Sequence, residues 1–323
     1  MTDLKIFKSP DEKIRLQTKK LLEECGLRFE SVPDETALIY REGRVVATGS
    51  RRGRVLQYLA VAKEAEGEGL AEQVVSALTE SAFSAGIFRL FLFTKPMAAT
   101  QFLSMGYSIL AETGSMVMME SSASALPAWL SSLPRGKGGI TGAIVANANP
   151  FTRGHAYLLE SAAAACDTLH VFVLSEDASR FSSAERLEMV RAYAARLDNV
   201  LVHPGGEYII SSATFPSYFL KDAGKIQDAQ MELDATLFAR RIAPALGITR
   251  RFVGSEPYCP VTSAYNGWLH RILPRWGVEV TELERLEGIS ASRVRALLDE
   301  GDWDAVRKLV PEESYAVIQR KYS

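Results

Sequence analysis

Cysteine is nearly missing from this chain: Cys25, Cys166 and Cys259 are the only three in 323 residues, far apart and in no CxxC or CxxH spacing. That excludes a disulfide framework and a zinc site and suits reduced thiols in the cytoplasm. Charge of one sign is not in excess either. With 37 Lys+Arg against 39 Asp+Glu and a formal charge of −2, bulk charge draws the chain to neither nucleic acid nor a membrane surface. Long hydrophobic runs are lacking: "IFRLFLF" is broken by Arg89 and far too short to span a bilayer. The opening "MTDLKIFKSPDEKIRLQTKK" has no signal-peptide core. The expectation is a cytoplasmic protein with no nucleic-acid partner, no membrane partner and no metal held by its own side chains.

What is there is a globular composition, 47% apolar and 24% charged, in a chain long enough for two domains. The stretch "ESSASALPAWLSSLPRGKGG", from Glu120 to Gly139, clusters serine, proline and glycine and marks a seam. We expect a first domain over 1–125, a linker over 126–138 and a second domain over 139–323. Before the seam, "DEKIRLQTKKLLEECGL" has helical spacing and stops at Gly26, and strand-like "TALIYREG", "RVVATGSRRG" and "VLQYLAV" follow. This half is mixed α+β. After the seam, strands "GITGAIVANA", "LHVFVLS", "NVLVHP", "RRFVGS" and "VEVTELER" alternate with amphipathic helices, which predicts a parallel sheet covered on both faces. Ligands bind such sheets outside the carboxyl ends of the strands, where strand order reverses.

One of the four histidines stands at that kind of place. In "NPFTRGH", Asn149 to His155, the loop leaves the first strand of the second half. Pro150 fixes the chain, Gly154 permits close approach, Thr152 is placed as a helix N-cap and His155 lies in the first turn. A strand-to-helix turn with a solvent-facing histidine is the plainer reading. The alternative is an anion site, because a helix N-terminus offers free N–H groups and partial positive charge. "ISASRVR", Ile289 to Arg295, starts another helix with Ser290 and Ser292 and adds Arg295 one turn on. Alone it is a capped amphipathic helix; beside the first motif it makes a second phosphate cradle.

Together the motifs resemble the HIGH superfamily of nucleotidylyltransferases: "TRGH" matches its (H/T)xGH signature and "ISASRVR" its ISxxxxR signature. The resemblance implies ATP as cosubstrate, with Thr152, His155 and Arg295 catalytic. Thr152 and His155 would stabilise the α-phosphate transition state, while Ser290, Ser292 and Arg295 hold the leaving pyrophosphate. Asn149, Pro150, Phe151 and Gly154 belong to the same ATP-binding set. "VGSEP" stands at the family's nucleotide-contacting loop, which adds Gly254 and, in place of a common aspartate, Glu256. Mg²⁺ would be held mainly through the ATP phosphates.

"GGEYIISSATFPSYFLKD", from Gly205, and "VGSEPYCPVTSAYN", from Val253, resemble the citrate lyase ligases, and that likeness covers nearly the whole chain. It implies an AMP-forming ligase that activates acetate as acetyl-adenylate and acetylates the thiol prosthetic group of the citrate lyase acyl carrier protein. Malonate decarboxylase has a related acetate:thiol ligase, so the carrier stays open at this point. So do a cofactor-making adenylyltransferase of the pantetheine-phosphate or nicotinamide mononucleotide type and a non-catalytic nucleotide or acetyl-CoA sensor. Phe215, Tyr218, Phe219, Lys221 and Arg180 are either packing and solvated residues or substrate contacts. In the first half, "AVAKEAEGEGLAEQVV" resembles the acetyl-CoA loop, (Q/R)xxGx(G/A), of GCN5-related N-acetyltransferases. Gly67 and Gly69 fit; Glu64 replaces the Gln or Arg, and Glu66 and Glu68 add negative charge beside a dianionic ligand. The fold class expected is therefore α/β, an acetyltransferase-like mixed α+β domain followed by a Rossmann-like nucleotidylyltransferase domain.

Overall fold

The computed structural model describes residues 2–175, 179–209, 223–256, 259–286 and 288–322. They form two compact units, Met1–Pro127 with Thr214–Leu233, and Ala128–Ala213 with Asp234–Ser323.

The first unit contains β1 (Thr2–Lys8), α1 (Glu12–Glu24), β2 (Glu35–Arg41), β3 (Arg44–Arg52), β4 (Val55–Val61), α2 (Leu70–Ser84), β5 (Phe91–Thr94), α3 (Pro96–Ser104), β6 (Ser108–Glu112) and β7 (Val117–Glu120). Its strands lie in the order β1-β2-β3-β4-β5-β7-β6. Neighbours are antiparallel apart from the parallel pair β4–β5. This is the mixed, acetyltransferase-like architecture expected of the first half. Strand β1 was not legible in the sequence because its side chains are exposed or half-buried along its length and so carry no clean alternation. Gly49 lets α2 approach β3: a Cβ there would stand 2.4 Å from Val74 Cγ1.

Helix α4 (Ala125–Ser132) occupies most of the stretch expected to be a linker. Its serines and proline suggested irregular chain, but Leu126, Leu130 and the following Leu133 are all buried, and that apolar stripe supplies the reason to coil.

The second unit runs β8 (Thr141–Ala146), α5 (Arg153–Ala164), β9 (Thr168–Val173), α6 (Ser183–Ala194), β10 (Val200–Pro204), the last residues of α7 (Ala223–Leu237), whose larger part belongs to the first unit, α8 (Ala243–Leu246), β11 (Arg250–Gly254), α9 (Pro260–Ile272), β12 (Glu279–Leu283), α10 (Ala291–Glu300), α11 (Trp303–Leu309) and α12 (Glu312–Tyr322). The strand order is β10-β9-β8-β11-β12, all parallel, the expected Rossmann-like sheet. β9 is buried at every position, as a strand covered on both faces must be. The chain goes from β8 to β9 on one side, and β11 lies on the other. The loops after β8 and β11 therefore part at the switch point, where this class of sheet opens a crevice. No helix among the described residues is long and apolar enough to cross a membrane.

Two of the four histidines are structural. His170 on β9 and His203 on β10 are both buried and share a hydrogen bond of 2.9 Å between Nδ1 and Nε2. Burial pushes the titration of each down to about 4, and at His203 the nearby His170 and Arg191 add to it. The unfolded chain takes up these protons near pH 6.5, whereas the folded chain resists until about pH 4, so stability is full above 6.5 and falls below it. The urea midpoint should therefore drop between pH 7 and pH 5, above the ordinary carboxylate range. Equal midpoints at the two pH values would contradict this account of the pair.

Candidate functional site

The site is built from two helix starts and the two loops between them. After β8 the chain turns sharply: Ala148 is held at φ +51° although it is not glycine, and the Asn149–Pro150 peptide is cis. Arg186, fully buried on α6, holds this turn by donating from Nη1 to the Asn147 carbonyl at 2.9 Å and to Asn147 Oδ1 at 2.8 Å. Asn149 Oδ1 accepts from the Phe181 backbone N–H at 3.2 Å. The loop is thus fixed from α6 and from the residues just before it. Pro150 and Phe151 are buried beneath it.

Thr152 is the N-cap of α5, as its position predicts, and His155 takes the third helical place in a capping box that usually holds Glu or Gln. The Thr152 backbone N–H donates to His155 Nδ1 at 3.0 Å, and Thr152 Oγ1 lies 2.9 Å from the same nitrogen. An amide N–H can only donate, so Nδ1 is the unprotonated nitrogen and the proton of the neutral ring sits on Nε2. The ring stays neutral because burial, reinforced by the Arg285 guanidinium, holds its pKa down at about 4. Phe151 stacks on the imidazole with ring centroids 5.6 Å apart. Its chemistry is therefore that of a fixed hydrogen-bond donor at a helix N-terminus.

The second motif meets the first at Gly154. A Cβ there would lie 3.7 Å from Ile289 Cγ2 and 3.9 Å from the Ile289 carbonyl oxygen, so the two helix starts face each other across one glycine. Ser290 caps α10, accepting from the Arg293 backbone N–H at 3.0 Å, and its hydroxyl is 3.0 Å from that of Ser292. Arg295 reaches back to the first loop and donates from Nη1 to the Asn149 carbonyl at 2.5 Å. Its other donors have no partner among the described residues. Thr152, Gly154, His155, Ser290, Ser292, Arg295 and Asn149 are thereby brought together. Gly154→Ala should stabilise the chain slightly, by about 0.4–1 kcal/mol, because the backbone there accepts a Cβ without strain. That Cβ enters the gap between the two helix starts; if a phosphate binds there, displacing it by about 1 Å costs on the order of 10²-fold in rate. Melting and ATP turnover measured on the same preparation check this; wild-type turnover would show that the gap carries no substrate.

Beside these helix starts a cleft of about 570 Å³ is lined by Ser255, Glu256, Cys259, Arg285, Ser290 and Arg293, among others. Gly254 ends β11 at its rim, its carbonyl accepting from Asn266 Nδ2 at 3.0 Å. Glu256 is ion-paired with Arg285. The thiol of Cys259 is pulled below its usual range by the Thr262 hydroxyl and by the backbone N–H groups at the start of α9. Arg285 and Arg186 were not foreseen: each acts through backbone carbonyls, which leave no mark in side-chain spacing. Arg180 packs on the Tyr322 ring and donates to the Arg295 carbonyl at 3.1 Å and to Asp299 at 2.6 Å, so it braces α10. Phe215, Tyr218, Phe219 and Lys221 lie outside the described residues.

The glycine turn noted in the sequence belongs to the first unit. Gly67 and Gly69 have φ of +80° and +73°, and Gly69 precedes α2. Two of the three charges noted in the sequence are met locally: Glu68 pairs with Arg41, and Glu64 with Arg44 at 2.9 Å. Its Arg41 partner holds the Glu68 carboxyl below the usual range.

The chain is similar to several known proteins. The family model for the citrate lyase ligase C-terminal domain matches residues 141–318. A citrate (pro-3S)-lyase ligase of Klebsiella pneumoniae is 41% identical over 321 residues, covering 96% of this chain and 94% of its own. One from Escherichia coli K12 is 39% identical over 324 residues, covering 97% and 92%. Among solved structures, an acyl-CoA N-acyltransferase from Pseudomonas aeruginosa aligns with 38% of this chain and 100% of its own at 14% identity, TM-score 0.34.

Proposed function

Because this chain belongs to the citrate lyase ligase family, we propose that it activates acetate with ATP as acetyl-adenylate and acetylates the thiol prosthetic group of the citrate lyase acyl carrier protein. In the first half-reaction an acetate oxygen attacks the α-phosphorus and the bond to pyrophosphate breaks. In the second, the carrier thiol, losing its proton, attacks the acetyl carbonyl and AMP leaves. The observation that supports this reading best is the pairing of two helix N-termini at the switch point with an imidazole fixed as an Nε2–H donor.

Thr152 and His155 are assigned to the α-phosphate, where charge grows during attack. Ser290, Ser292 and the open donors of Arg295 are assigned to the departing pyrophosphate, and Gly254 and Glu256 to the nucleoside. Asn149, Pro150 and Phe151 shape the loop that carries them. Among the described residues no group of three or more His, Cys, Asp or Glu could hold a metal. Mg²⁺ would be brought in on the ATP phosphates, where it would offset their charge.

Residues 1–125 are assigned to the transfer step, since both phosphate motifs fall within 139–323. The Gly67–Gly69 turn, with Glu68 and Glu64 tied to Arg41 and Arg44, is assigned to no separate acetyl-CoA chemistry. Incubation with ATP, labelled acetate and the thiol-bearing carrier should yield labelled thioester and AMP in equal amounts. ADP as product, or no label on the carrier thiol, would rule the assignment out.

A further inference from the structure

The cleft contains one charged residue that ties its parts together, and no role above accounts for it. Arg285 lies just after β12 and is partly buried. Its backbone N–H donates to Ser255 Oγ at 3.1 Å. Its Nε donates to the Ile289 carbonyl at 3.2 Å, and its Nη1 is ion-paired with Glu256. Ser255 and Glu256 belong to the loop after β11, while Ile289 immediately precedes the Ser290 cap and faces Gly154 of α5. One guanidinium thus spans both loops of the cleft. It fixes the Ile289 carbonyl at the start of α10, and Ile289, through its side chain and that carbonyl, is the residue facing the first turn of α5.

We propose that Arg285 is a positioning residue for the first half-reaction: it locks the loop after β11 to the start of α10 and sets the charge that His155 faces. The inference rests on reading this cleft as the ATP site. The planar fork suits the task, since Nε and Nη1 point at two acceptors in fixed relation, which an ammonium cannot reproduce. Its charge suits it as well. His155 is otherwise surrounded by Thr152, Phe151 and an apolar wall that includes Ile144, Leu158 and Val171. None of these groups titrates, so among the described residues the charge reaching the ring is that of Arg285. Glu256, Glu284 and Arg293 are the other charged residues lining the same cleft. Placing a cation opposite a neutral imidazole keeps the ring from taking a second proton, and with Nδ1 occupied by the Thr152 amide it remains an Nε2–H donor.

The test separates charge from fork. The full chain with isotope-labelled histidine is titrated by NMR without ATP, with the His155 signal identified by its loss in His155→Gln. In the wild type the ring should titrate at about 4. In Arg285→Gln the midpoint should rise, stopping short of the ordinary value near 6.5 because burial persists. In Arg285→Lys it should stay low. Pyrophosphate exchange should fall in both variants on the order of 10²-fold in kcat, with melting temperatures close to wild type. A midpoint unmoved in Arg285→Gln, or full kcat in Arg285→Lys, would overturn the proposal. Should Arg285→Gln not fold, the Lys variant decides: a low midpoint with reduced kcat supports the fork, and either a raised midpoint or full kcat refutes it. The titration involves no substrate, so it stands even if the chain does not use ATP.

Discussion

His155→Ala will slow pyrophosphate exchange by about 10²–10³-fold, the typical loss when one preorganised transition-state donor is removed. The ring lies at a helix N-terminus with Nδ1 engaged by the Thr152 amide at 3.0 Å, which leaves Nε2–H as its one free function. The Ala variant also loses half of a capping box, at a cost of about 1 kcal/mol in stability. A second substitution removes that ambiguity. In His155→Gln the side-chain oxygen can accept from the Thr152 amide, as Gln does in the usual box, so the helix start is restored. With that oxygen engaged, the amide cannot place an N–H where Nε2 stands. Stability should therefore recover in His155→Gln while the rate does not. If the rate recovers together with stability, the histidine is a cap and nothing more.

The second large effect is expected at Arg295. Its Nη1 is bound to the Asn149 carbonyl at 2.5 Å, which aims the plane of the guanidinium and leaves its remaining donors for phosphate oxygens. Lysine keeps the charge but has a single nitrogen and no plane, so it must choose between the carbonyl and the phosphate. Losing one charge-assisted hydrogen bond of about 1.5–3 kcal/mol lowers kcat/KM on the order of 10–10²-fold. Arg295→Lys and Arg295→Ala, compared in exchange kinetics, check this. Equal rates for wild type and the Lys variant, with the Ala variant impaired, would mean that diffuse charge is enough and the fork is not used.

Much of this site was legible in the sequence because its chemistry is local. Thr152 and His155 stand three residues apart, as a helix N-terminus requires, and Ser290 precedes its helix in the same way. The five parallel strands were legible too, since apolar runs between amphipathic helices admit few other arrangements. What escaped was whatever depends on distant partners. Arg186 and Arg285 act on carbonyls far away or in loops, and no periodicity announces that. β1 is an edge strand on which only Leu4 and Phe7 are half-buried against the core, too few to give a clean alternation. Helix α4 hid inside serine- and proline-rich sequence, and only the burial of Leu126, Leu130 and Leu133 explains it. The acids beside Gly67 and Gly69 suggested self-repulsion; for Glu64 and Glu68, pairing with Arg44 on β3 and Arg41 on β2 answers it.

On the proposed function, this cleft joins a carboxylate to the α-phosphate of ATP. The most direct test is exchange of labelled pyrophosphate into ATP by the full chain, with and without acetate and in the absence of any carrier protein. Exchange should require acetate and fall by about 10²–10³-fold in His155→Ala. Exchange that ignores acetate but starts on addition of phosphopantetheine or nicotinamide mononucleotide would contradict it, because the attacking group would then be a phosphate.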